Sequence, residues 1–78
     1  MNKARRQELQ EVTSYLDDAI ERFEEIKDDE QEAFDSMPEG LQDSMRGDNM
    51  LSAINKLDYL IAKTENFKTE IEKVIKDI

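Results

Sequence analysis

The chain has no cysteine, no histidine and no tryptophan, and it holds only two glycines and one proline. Without cysteine no disulfide can staple it, and nothing points to a redox compartment. Zinc, haem and most transition-metal sites lose their usual ligands, so no metal and no cofactor is expected. Nucleophilic catalysis lacks a base as well: Ser14, Ser36, Ser44 and Ser52 have neither His nor Cys to work with. There is no glycine-rich phosphate loop. No apolar run approaches the roughly 18 residues of a membrane span. The basic start Met1-Asn2-Lys3-Ala4-Arg5-Arg6 leads into Gln7-Glu8 and not into an apolar segment, so no signal peptide is read and a cytoplasmic location is expected.

Charge is present in abundance. Charged residues make up 40% of the 78 positions, against roughly 25% in an average domain. The net charge of −9 is unevenly spread, because residues 8–43 carry 14 acids against Arg22 and Lys27. Direct binding to nucleic acid or an anionic membrane needs concentrated Lys and Arg and is disfavoured. A chain this short forms one small domain, 1–78, whose single core is marginal unless something adds to it. Long helices and oligomerisation are the natural answer.

The first helix is expected over about 3–36. Leu9, Val12, Leu16, Ala19, Phe23, Ile26, Glu30, Ala33 and Met37 succeed one another at alternating steps of three and four, and only Glu30 is polar. That is a heptad seam on an uninterrupted helix, the pattern of a coiled coil or long bundle. The basic first turn opposes the helix dipole and predicts fraying there. Pro38 lacks a donor and restricts Met37, so the helix ends before it, and Gly40 can supply the positive φ of a reversal. The connection spans about 37–47, and either Ser44 or Asp48 can cap the second helix.

That second helix is expected over about 48–78, with the seam Met50, Ile54, Leu57, Ile61, Thr64, Lys68, Ile71, Ile75 and Ile78. A further apolar line, Ala53, Leu60, Phe67 and Val74, recurs every seven residues. Helix 1 adds Tyr15, Ile20 and Phe34 beside its own seam. A short connection makes the helices antiparallel neighbours, with Ile26 near Leu57, Phe23 near Ile61 and Val12 near Ile71. The fold class is therefore all-α: a long antiparallel helical hairpin, coiled-coil-like. Its apolar surface is wider than one hairpin can hide, which predicts a homodimer forming a four-helix bundle. The interface residues named on this ground are Ile20, Phe34, Leu60, Phe67 and Val74. Glu30 and Lys68, misplaced charges of opposite sign, are expected to meet between chains and set the register. Whether the two chains run parallel or antiparallel stays open at this level.

The connection Met37-Pro38-Glu39-Gly40-Leu41-Gln42-x-Ser44-x-Arg46-Gly47 comes after a charged opening Asn2-Lys3-x-Arg5-Arg6-x-Glu8-Leu9 and precedes a second amphipathic helix. In this it resembles a group of small, acidic helical-hairpin proteins of phages, prophages and bacterial mobile elements. The likeness covers most of the chain, though only the connection of about ten residues is distinctive. The resemblance implies a phage setting, where small acidic proteins often inhibit a host enzyme, and it lends no catalytic residues.

The loudest surface feature is acidic. Asp18, Glu21, Glu25, Asp28, Glu32 and Asp35 fall at alternating steps of three and four opposite the seam. Read plainly, this is the solvated outer face of a bundle helix. Read more sharply, it copies the phosphates of a nucleic acid and fits a basic cleft, since few basic residues relieve it. Carboxylate pairs with the spacing of helical Mg²⁺ pyrophosphohydrolases occur (Glu8-x-x-Glu11, Glu25-x-x-Asp28), but they lie on one helix and chance accounts for them. Asp28 to Glu32 lacks the glycine and ligand spacing of an EF-hand. Met37, Met45 and Met50 gather near the turn, where such side chains plug a bundle end or meet a partner. The expected function is non-enzymatic: an acidic, phage-type inhibitor binding a host protein, or alternatively an assembly module acting through homodimerisation.

Overall fold

The computed structural model describes residues 1–76. Two long helices, α1 (Lys3–Asp35) and α3 (Met45–Lys76), are joined by a one-turn helix α2 (Glu39–Gln42). They lie against each other as an antiparallel hairpin with extents of 59 × 15 × 11 Å. Ile78, expected at the end of the second seam, lies outside the described residues.

α1 begins where its sequence allows a cap. The Asn2 side-chain oxygen accepts from the Arg5 backbone N–H at 2.9 Å, tying down the first turn despite its basic charge. At the other end Ser36 closes the helix one residue beyond Asp35, just ahead of Pro38. The connection is tighter than expected, and α3 starts three residues earlier, at Met45 and not at Asp48. Ser44 occupies the cap position: its carbonyl accepts from Asp48 N–H at 3.0 Å and its hydroxyl from Gly47 N–H at 3.5 Å. The same hydroxyl donates to the Leu41 carbonyl, locking α2 against the start of α3. Gln42 reaches back and donates to the Phe34 carbonyl at 3.0 Å, satisfying an acceptor at the open end of α1.

The reversal needs no left-handed residue. Gly40 sits inside α2, and no positive φ occurs among the described residues, so the turn expected from Gly40 is made by helical backbone instead. The glycine that matters is Gly47. A Cβ there would lie 2.0 Å from the Gln42 carbonyl oxygen, whereas one at Gly40 would meet nothing within 4 Å. Gly47 lets α2 rest directly on the first turn of α3 and is itself buried.

Within the hairpin the seam of α3 is the expected one: Met50, Ile54, Leu57, Ile61, Thr64, Lys68, Ile71 and Ile75 are all buried or half-buried. Ile54 and Ile61 are its centre, 6% and 8% exposed. The seam of α1 is half right. Leu9, Leu16, Phe23, Glu30 and Met37 face inward, but the second inward line is Thr13, Ile20, Lys27 and Phe34. Of the line expected there, Ala19 stays half-buried, whereas Val12, Ile26 and Ala33 are turned aside, leaving Val12 39% and Ile26 52% exposed. Apolar character alone favoured the line that lost. The line that won carries bulkier side chains, and the stem of Lys27 packs while its ammonium escapes to a carboxylate.

Candidate interaction surface

Two ion pairs define the register. Lys27 donates to Asp58 at 2.8 Å, and Lys68 donates to Asp17 at 2.7 Å. Ten residues forward along α1, from Asp17 to Lys27, match ten residues back along α3, from Lys68 to Asp58. In this register Phe23 comes level with Ala62 and Glu30 with Asn55, one residue from the expected partners Ile61 and Ile54. The hydrogen bond from each lysine to its aspartate raises the lysine pKa above its ordinary 10.5.

The two bridges are also images of one another. A shift of 41 positions carries Asp17 onto Asp58 and Lys27 onto Lys68, and with them Leu16 onto Leu57 and Ile20 onto Ile61. Antiparallel helices related in this way share a two-fold axis perpendicular to their common plane, so equivalent rows lie on the same broad side of the hairpin. The shift takes Val12, Ala19, Ile26 and Ala33 onto Ala53, Leu60, Phe67 and Val74. All eight are apolar, and they form one continuous face in four layers: Val12 with Val74, Ala19 with Phe67, Ile26 with Leu60, and Ala33 with Ala53. Phe67 is 57% and Val74 48% exposed.

The opposite broad side is mostly polar, lined by Gln10, Asp17, Glu24 and Gln31 from α1 and by Asp58, Glu65 and Glu72 from α3, with Leu51, 39% exposed, as its one apolar member in these rows. A shallow, open hollow of about 300 Å³ lies on that side near the free end, between Gln10, Thr13, Asp17, Lys68, Glu72, Ile75 and Lys76. Its charges are balanced, and no cluster of carboxylates suited to a metal ion occurs among the described residues.

The residues named from sequence divide accordingly. Leu60, Phe67 and Val74 lie on the apolar face. Ile20, Phe34, Glu30 and Lys68, expected between chains, belong instead to the seam within one chain, because the inward line of α1 is shifted by one residue. Lys68 is already engaged by Asp17 of its own chain. Val12 and Ile26, assigned to the inner seam, join the outer face in their place.

Asp18, Glu21, Glu25, Asp28, Glu32 and Asp35 are all exposed along the outer edge of α1. None of them pairs with a basic side chain among the described residues, although Gln31 donates to Asp35 at 3.0 Å. On α3 the outer edge is different: Lys56 and Lys63 both lean over the Tyr59 ring, 4.8 and 5.6 Å from its centre. Counted over the helices, α1 holds 12 acids and five bases for a net −7, while α3 holds five acids and six bases for a net +1. No helix of the described residues is long and apolar enough to cross a membrane. Comparison with known proteins returns no matching family model, no matching curated protein and no matching solved structure.

Proposed function

We propose that this is a non-catalytic binding protein that presents the acid-rich edge of α1 to a basic surface on a partner protein, such as one that normally holds nucleic acid. The observation that carries this reading is the row of six exposed carboxylates with no basic partner among the described residues. Unrelieved like charge at helical spacing costs stability, and long-range steering toward a basic cleft is the return it brings. The resemblance of the connection to phage and prophage proteins supplies the setting: inhibition of a host protein in the host cytoplasm.

In this reading the working unit is a homodimer, a four-helix bundle with the apolar faces inside and the acidic edges outside. The apolar face favours a second function as well, that of an assembly module whose task is dimerisation itself.

Salt separates the two. The tagged protein is incubated with host lysate and washed at low and then high ionic strength. An acidic mimic releases its partner as screening rises, and charge reversal at Glu25, Asp28 and Glu32 together abolishes capture. A partner held through high salt, or retained by the triple variant, overturns the acidic reading in favour of the apolar one.

A further inference from the structure

We infer that two copies pack apolar face to apolar face with α1 of each lying along α3 of the other, so that both connections sit at the same end of the bundle. This rests on the homodimer reading above and adds the arrangement, which sequence leaves open.

The face suits a second copy by its symmetry and its apolar composition. From Val12 to Ala33 it runs for about 32 Å at about 1.5 Å per residue, on a side 15 Å wide. That strip of roughly 470 Å² reaches the roughly 800 Å² per partner of a standard stable interface only together with the rim residues beside it. A two-fold axis relating two such faces can run along the long axis or across it. Running across it, the axis stacks α1 on α1 and α3 on α3 with connections at opposite ends. Running along it, the axis stacks α1 on α3 with connections together.

Charge distinguishes the two arrangements. The crosswise axis lays two helices of net −7 side by side. At the rim it sets Arg22 against Arg22 and Lys63 against Lys63 while bringing Lys56 level with Glu70 of the other copy, so the rim pairs balance between the two axes and the net charge of the stacked helices is what differs. The lengthwise axis lays the acidic helix against the slightly basic one. In the register fixed by the two bridges, Lys56 then comes level with Asp29 of the other copy. Lys63 falls level with Arg22, an adverse contact, but lies between Asp18 and Glu25 one turn to either side. Lys56 and Lys63 make no ion pair within their own chain among the described residues, so both are available.

Shape points the same way. Phe67 is the largest side chain on the face and shares its layer with Ala19. The lengthwise axis sets Phe67 of each copy over Ala19 of the other, a protrusion over a gap. The crosswise axis brings Phe67 against Leu60 and leaves Ala19 opposite Ile26.

The absence of native cysteine makes the test direct. A single Ser36→Cys substitution, at an exposed position beside the connection, is spin-labelled and the label-to-label distance within the assembly is measured. Connections at one end place the labels on diagonally related helices, within roughly 25 Å. Connections at opposite ends separate them by roughly 40 Å, since Ser36 stands some 13 residues from the centre of the face at about 1.5 Å each. The short distance is expected. A dimer with the long distance overturns the arrangement and leaves the homodimer standing, whereas a monomeric mass by light scattering overturns the homodimer and the arrangement with it.

Discussion

Lys27 and Asp58 lie 31 positions apart in sequence and 2.8 Å apart in space, and Lys68 with Asp17 repeats the contact at the far end of the hairpin. Each lysine enters from an inward row and escapes sideways to a carboxylate on the opposite helix. Together they act as register pins, because a slip along the axis would break both while leaving most apolar layers serviceable.

The pins give stability a defined dependence on pH. Hydrogen bonding to Asp58 and Asp17 raises the folded-state pKa of the two lysines above 10.5. A base whose pKa is raised by folding contributes stability that is fully present below its unfolded value and is lost as pH climbs through the folded value. Thermal melts followed by circular dichroism should therefore fall in midpoint above pH 10.5. The Lys27→Met, Lys68→Met double variant should flatten that decline. An unchanged alkaline slope in the double variant would assign it to other groups.

The two glycines should respond to alanine with opposite signs. At Gly40, in open helical backbone, Ala stabilises by about 0.4–1 kcal/mol. At Gly47 helix propensity argues for a similar gain, but the new Cβ meets the Gln42 backbone oxygen at 2.0 Å, so α2 must be displaced. A loss of about 2 kcal/mol or more is expected there. Equal effects at both sites in denaturant titrations would mean that α2 does not dock on α3.

The inner and outer apolar rows should also separate. Ile61→Ala removes a side chain from the centre of the seam and should cost about 2–4 kcal/mol at any protein concentration. Phe67→Asp touches only the outer face. It should abolish the rise of melting temperature with concentration that an associating protein shows, while leaving helicity intact in dilute solution. A melt of the unmodified protein that is independent of concentration would count against association through this face.

Charge reversal on the outer edge of α1 should leave the fold alone. Glu25→Lys, Asp28→Lys and Glu32→Lys relieve repulsion between neighbours three and four residues apart, a term of about 0.2–0.5 kcal/mol per pair. Circular dichroism should show equal or greater helicity. A marked loss of helicity would mean that these carboxylates serve the fold rather than a partner.

Much of the architecture was legible in the residues themselves. A charged chain with alternating steps of three and four, and with its one proline and both glycines confined to positions 38–47, can only be two long helices with a break near Pro38. Helical period is a local property, and local properties are written in sequence. So are the acidic edge and the lack of His and Cys.

Tertiary structure decided the rest, because it depends on which of two nearly equal surfaces meets another helix. On α1 the rows beginning at Val12 and at Thr13 lie on either side of the same central line, and the period fits both. Apolar count favours the first, and it was the packing of Ile20, Phe34 and the Lys27–Asp58 bridge against α3 that selected the second. That choice turned Val12 and Ile26 outward beside Leu60 and Phe67 and so made one apolar face. The need for glycine at position 47 is likewise a contact between the backbones of two separate helices, which no composition or period can announce.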